Sequence, residues 1–194
     1  MKTDIILAGV GGQGILTIAA SIGYAALHDN LNLKQSEVHG MSQRGGAVQS
    51  HMRLSSNPIA SDLIPLGSAD VILSVEPMES LRYLPYLSKN GWIITNSLPF
   101  INIPNYPEYQ KILDEINKIP NHVLIDADKI AEEAGSVKSS NIVMLGAASP
   151  YIEMSYESFI EGIKKLFGRK SEEMVNLNIK AFDLGRKISM EKKK

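Results

Sequence analysis

The chain contains no cysteine. That removes disulfides, thiolate nucleophiles, zinc ribbons and cysteine-ligated iron–sulfur clusters from what its own residues can supply. It also agrees with a cytoplasmic protein, since structural disulfides belong to oxidising compartments. No run approaches the ~20 apolar residues that cross a bilayer. The opening Met1-Lys2-Thr3-Asp4 and its short apolar continuation are too brief for a signal peptide. An excess of charge of one sign is missing as well. Lys+Arg number 20 against 21 Asp+Glu, a net charge of -1, with no broad basic patch to meet nucleic acid. Repeats, low-complexity tracts and long linkers are absent. The 194 residues, 44% hydrophobic and 21% charged, therefore read as one soluble domain over 1–194, its C-terminal helices starting near 155. Lys187 and the lysines at 192–194 read as a solvated helix end.

Apolar periodicity gives the elements. Residues 5–8 form a continuous apolar run ending in glycine, the pattern of a strand buried on both faces, and 15–27 follow as a helix. Residues 32–38 are a second strand, and 47–54 alternate as a strand exposed on one face. A buried strand over 69–75 feeds Glu76-Pro77, with proline in the first turn of a helix running to about 87. Strands are expected at 91–96 and 122–126, a proline-rich surface loop at 97–107, and helices at 108–119, 126–134, 141–148, 156–167 and 171–187. The 141–148 helix is expected to be buried. Strands alternating with helices predict an α/β fold, an open, mostly parallel sheet with helices on both faces, Rossmann-like.

Two glycine clusters carry the functional signal. Gly9-Val10-Gly11-Gly12-Gln13-Gly14, between a strand and a helix, has the spacing and context of a dinucleotide-binding turn. Free amides at the helix start would face an anion, with Gln13 and Thr17 as further donors. Gly12 and Gln13 are not what ordinary dehydrogenases carry, and the ribose-binding acid would have to be Glu37. A turn that packs tightly and binds nothing explains the same residues. The second cluster is Ser36-Glu37-Val38-His39-Gly40-Met41-Ser42-Gln43-Arg44-Gly45-Gly46, a carboxylate, an imidazole, an amide and a guanidinium set among glycines. That is the composition of a contact loop. His39 and His51 have no partner at metal-ligand spacing, whereas Arg44 suits a carboxylate, a phosphate or a partner backbone. Asp126 and Asp128 read as a helix cap and a first-turn acid, and Met41, Met52 and Met144 as packing residues.

The two clusters together, followed by Val48-Gln49-Ser50-His51-Met52-Arg53 and joined by Pro77-Met78-Glu79-Ser80-Leu81-Arg82 and Asn141-Ile142-Val143-Met144-Leu145-Gly146, resemble the gamma-type domain of 2-oxoacid:ferredoxin oxidoreductases. Within that family the likeness is to the separate small (beta) subunits of the indolepyruvate type. The resemblance implies a chain without catalytic residues, obligatory to a heteromeric complex. That complex oxidatively decarboxylates a 2-oxoacid, here an arylpyruvate from amino-acid breakdown, to an acyl-CoA with ferredoxin as electron acceptor. Thiamine diphosphate, magnesium, 4Fe-4S clusters and CoA are then expected on the large (alpha) subunit, with none firmly bound here. Gly9, Gly11, Gly12, Gln13 and Gly14 are the expected cofactor-contact turn. Glu37, His39, Met41, Ser42, Gln43, Arg44, Gly45, Gly46 and His51 are the expected contacts to the large subunit or its active site. The alternatives are an independent oxidoreductase holding NAD or a flavin, with His39 or Tyr83 moving protons, and a module binding CoA or another phosphate ligand.

Overall fold

A computed structural model describes residues 1–40, 45–101 and 103–192. Its centre is a six-stranded sheet in the order β2-β3-β1-β4-β5-β6. The strands are β1 (Lys2–Val10), β2 (Asn32–His39), β3 (Ala47–Ser55), β4 (Ala69–Ser74), β5 (Leu87–Asn96) and β6 (His122–Ile125). β1, β4, β5 and β6 pair in parallel, while β3 runs antiparallel to both β1 and β2. Among the described residues seven helices surround the sheet: α1 (Ile15–His28), α2 (Pro77–Arg82), α3 (Tyr109–Asn117), α4 (Ala127–Ala134), α5 (Ser140–Ala148), α6 (Tyr156–Phe167) and α7 (Glu172–Lys192). None of the described helices is long and apolar enough to cross a membrane.

Side-chain alternation sorts the core between the two faces. Ile5 and Leu7 of β1, Val71 and Leu73 of β4 and Ile94 of β5 enter a large core with α1, α4, α5, α6 and α7. Ile6 and Ala8, Ile72 and Ile93 point the other way, into a smaller cluster with Ile64 and Tyr83. Every residue of α5 from Asn141 to Ala148 is buried, so this helix lies between the sheet and α7. The backbones of α5 and α7 meet directly. A Cβ placed on Gly146 would sit 2.0 Å from the Phe182 carbonyl oxygen, and one on Gly185 would sit 2.0 Å from that of Val143.

Two expectations are corrected. The helix opened by Pro77 stops at Arg82; a 3-10 turn over Leu84–Tyr86 follows and β5 begins at Leu87. Pro85 explains this, because its ring and missing N–H break an α-helix and disfavour the α region for the residue before it. β3 is not exposed on one face. His51 is buried, and residues 61–64 roof that side: the Arg53 guanidinium donates to the Ser61 and Leu63 carbonyls, both at 3.1 Å. The same guanidinium is bidentate to the buried Asp4 carboxylate, at 2.8 and 3.1 Å across the β1–β3 register, which pairs a charge that would be costly alone. Trp92 is covered by Tyr151, ring centroids 4.3 Å apart, from a 3-10 turn over Ser149–Tyr151. Lys187 and Lys192 are exposed, as a solvated helix end would be, and the Lys192 ammonium also donates to the Leu124 carbonyl at 2.8 Å; residues 193 and 194 lie outside the described residues.

Because the α5–α7 contact is backbone against backbone, Gly146→Ala forces the helices apart. It is expected to lower unfolding free energy by about 1–3 kcal/mol, towards the upper end, as measured by the urea midpoint. Gly23→Ala, whose Cβ would meet Leu33 at 3.4 Å, serves as the contrast and is expected to be neutral or mildly stabilising.

Candidate functional site

β1, β2, β4, β5 and β6 all point the same way, so the turn after β1 and the connection from β2 to β3 share the carboxyl end of the sheet. Two backbone bonds join them. The Gly11 N–H donates to the Gly46 carbonyl at 2.8 Å, and the Gly45 N–H donates to the Gly11 carbonyl at 3.3 Å. Met41, Ser42, Gln43 and Arg44 lie outside the described residues.

The first glycine turn is held by its own side chains. Gln13 Oε1 accepts the Val10 N–H at 2.8 Å, and its Nε2 donates to the Val75 carbonyl at 3.3 Å, so one amide bridges β1 to the segment after β4. The Gln13 N–H closes the turn onto the Val10 carbonyl at 3.1 Å. Gly14 stands at the N-cap of α1 in the left-handed region, φ +83, and a Cβ there would lie 2.4 Å from Asn141 Nδ2. Its carbonyl instead accepts the Asn141 amide at 3.2 Å, which ties α5 to the turn. Gly9 packs against Val75, and Gly12 alone stands exposed with open space around it. The amides of Gly11 and Gln13, which a phosphate-binding turn would aim at an anion, are thus bonded within the protein.

β3 also stands between β1 and β2. In a dinucleotide fold the acid-bearing second strand lies beside the first; here Glu37 is two strand spacings away, about 10 Å. Its carboxylate pairs instead with the His39 ring on the same face of β2, and accepts from Gln35 Nε2 at 3.3 Å. His51 is turned to the other face. Its Nδ1 accepts the Ile64 N–H at 3.0 Å, its ring stands edge-on to Tyr86 with centroids 5.1 Å apart, and Nε2 faces the Gln49 amide at 2.7 Å. A ring that accepts at Nδ1 carries its proton on Nε2, which sets Gln49 with its oxygen toward the ring. Burial pushes the His51 pKa down and keeps the ring neutral.

A cavity of about 210 Å³ opens beside the glycine turn, between the ends of β4 and β5 and the start of α5. Gln13, Asn96, Phe100, Asp128, Asn141 and Met144 are among its walls, and neither His39 nor Tyr83 lines it. Tyr83 belongs to the smaller core on the opposite face, where burial raises its pKa. Asp128 is the one charged group among the described lining residues, so none of them offers a cation to a phosphate. Asp126 caps α4 by accepting the Lys129 N–H at 2.9 Å, and Asp128 follows in the first turn. Among the described residues no group of three or more His, Asp or Glu is placed to hold a metal ion.

The sequence reading missed Glu76. It stands directly before Pro77 as the cap of α2, its Oε2 accepting the Glu79 N–H at 2.8 Å. Its Oε1 also accepts the Phe100 N–H at 3.3 Å and the Tyr106 hydroxyl, pinning the proline-rich loop to the cavity wall. The side chain is fully buried and its pKa is raised by that burial. A proline-rich segment gives no sign of which buried group it will close upon.

Comparison with known proteins follows the same geometry. The family model for pyruvate ferredoxin/flavodoxin oxidoreductase matches residues 4–188. The indolepyruvate oxidoreductase subunit IorB of Archaeoglobus fulgidus is 39% identical over 95% of this chain and 94% of its own length. The 2-oxoglutarate synthase subunit KorC of Methanothermobacter marburgensis is 32% identical across 100% of both chains. Among solved structures, the gamma subunit of a keto/oxoacid ferredoxin oxidoreductase from Geobacter sulfurreducens superposes with a TM-score of 0.68 at 25% identity, covering 97% of this chain and 99% of that one.

Two outcomes test this geometry. Gln13→Ala leaves the buried Val10 N–H without its acceptor and is expected to lower stability by about 1–3 kcal/mol, measured by urea unfolding. His51 has a folded pKa below its unfolded value, which lies near the ordinary 6.5. Its contribution is therefore complete above 6.5 and is lost as pH falls through the folded value. Thermal melts from pH 7.5 to 5 are expected to show falling stability, and His51→Gln to flatten that part of the curve.

Proposed function

This chain belongs to the pyruvate ferredoxin/flavodoxin oxidoreductase family, and we propose that it is the small, cluster-free subunit of an indolepyruvate-type complex. The complex would oxidatively decarboxylate an arylpyruvate to its acyl-CoA and pass the electrons to ferredoxin. The observation that carries this reading is an end-to-end likeness to an indolepyruvate oxidoreductase subunit of nearly the same length, rather than a shared motif.

The chain's own residues do not fit the cofactors such chemistry needs. Without cysteine it offers no thiolate for an iron–sulfur cluster. Its cavity presents one carboxylate and no described cation, a poor receiver for the diphosphate of thiamine diphosphate or the phosphates of CoA. On this reading thiamine diphosphate, magnesium, 4Fe-4S clusters and the main CoA site lie on the large subunit, and this chain supplies a shaped surface. The proposed surface is the carboxyl end of the sheet. Gly9, Gly11, Gly12, Gln13 and Gly14 form its base, and Glu37, His39, Gly45 and Gly46 its neighbouring wall. The roles given to Met41, Ser42, Gln43 and Arg44 rest on the sequence alone. His51 would act indirectly, by holding residues 61–64 over β3. The compartment proposed is the cytoplasm.

The test is 2-oxoacid-dependent reduction of a viologen dye with CoA present, comparing this chain, a thiamine- and cluster-binding large subunit, and the two co-expressed. Turnover is expected only from the co-expressed pair, with indolepyruvate or phenylpyruvate preferred. A preference for 2-oxoglutarate would keep the family and discard the aryl specificity; failure of the two chains to associate would overturn the subunit reading. Arg44→Ala is expected to weaken association by roughly 10- to 30-fold, the scale of an interface arginine. Unchanged affinity and unchanged turnover would remove Arg44 from the interface.

A further inference from the structure

β2 is the last strand of the sheet on its side, and its phase against β3 is fixed by the Gly40 N–H, which donates to the Ala47 carbonyl at 2.9 Å. In an antiparallel pair, hydrogen-bonded residues alternate with residues whose amides and carbonyls turn away. Counting back along the register, Val38, Ser36, Lys34 and Asn32 bond to β3. Leu33, Gln35, Glu37 and His39 therefore turn their backbone N–H and C=O groups outward.

Natural edge strands are blunted by proline, bulges, inward-pointing charge or lysine. β2 contains no proline, and its register with β3 is continuous from Asn32 to His39. Its single lysine, Lys34, has its ammonium drawn to the Ala60 carbonyl at 3.0 Å. Val38 stands 64% exposed on this edge. The result is an eight-residue edge of unbroken register whose alternate backbone groups meet no partner among the described residues.

We propose that this edge pairs with the same edge of a second copy of the chain, antiparallel about a two-fold axis through Ser36, making one sheet continuous through both molecules. The self-complementarity of the strand carries the choice of occupant. About Ser36, Gln35 faces Glu37 on both sides of the axis, Leu33 faces His39, and Lys34 lays its stem beside Val38. Every outward residue then meets an outward residue, as an antiparallel ladder requires. Moving the axis to Glu37 sets two carboxylates against each other. Moving it to Gln35 sets Glu37 against Leu33 and leaves His39 unpaired.

The absence of cysteine makes the register directly measurable. With the axis at Ser36, the two Ser36 Cα atoms form a non-hydrogen-bonded pair about 4.5 Å apart, within disulfide reach. Val38 lies opposite Lys34, so the two Val38 residues are offset by four positions, about 13 Å. Light scattering on the full chain is expected to give twice 21.3 kDa, and Ser36→Cys to yield a disulfide-linked dimer on mild oxidation while Val38→Cys does not. Gln35→Pro removes an outward N–H that the β2–β3 ladder does not use. It is expected to weaken dimerisation at least tenfold with the circular dichroism spectrum unchanged. A monomer at 100 µM, cross-linking of Val38→Cys in place of Ser36→Cys, or a dimer indifferent to Gln35→Pro would each overturn the proposal. So would a chain that is monomeric alone and covers this edge only with a large subunit.

Discussion

The backbone of Gly11 is shared. Its N–H and its carbonyl are both bonded to the connection between β2 and β3, so the two glycine clusters, about thirty residues apart in sequence, fold as one surface. Everything else at that end of the sheet is attached to this join. Gln13 fastens the turn to the segment after β4, and Asn141 fastens α5 to Gly14. Glu76 then anchors the loop that closes the cavity. The hydrogen bonds run side chain to backbone, and each satisfies a group that would otherwise be buried and unpaired. Groups held this way are positioned before any partner arrives, so on the reading proposed above little of the binding energy would go into ordering them.

Much of the architecture is legible in the residues because local rules and burial agree. The two-sided apolar runs of β1 and β4, the proline that opens α2 and the small residues of α5 all point to the positions they occupy. The family was legible for a different reason: two polar, glycine-rich clusters have no use in a core, and their pairing is specific. What escaped is long-range. No local pattern says that β3 inserts between β1 and β2, which takes Glu37 away from the first glycine turn. The polar residues of β3 look solvent-facing until Arg53 and His51 are seen holding the segment over them. Glu76 shows in the sequence only as the residue before Pro77, and only the fold reveals that it is fully buried.

The same topology separates likeness from use. The glycine spacing is that of a nucleotide-binding turn, yet the amides of Gly11 and Gln13 are bonded internally and the neighbouring cavity is without a described cation. The spacing serves packing and joining, which asks for the same small residues as anion binding does.

The position of β1 in the sheet also sets an order of events during synthesis. β1 is the first of these strands to be made but is interior, its two neighbours being β3 and β4, so one edge stays open until residue 55 has emerged and the other until residue 74. At cellular elongation rates that interval is on the order of several seconds. Its larger apolar face waits longer still, for α5, α6 and α7. The most buried strand of the finished protein is therefore the longest exposed in the nascent one, and the chain has reason to rely on chaperone cover, or on prompt local collapse with α1, before its sheet exists.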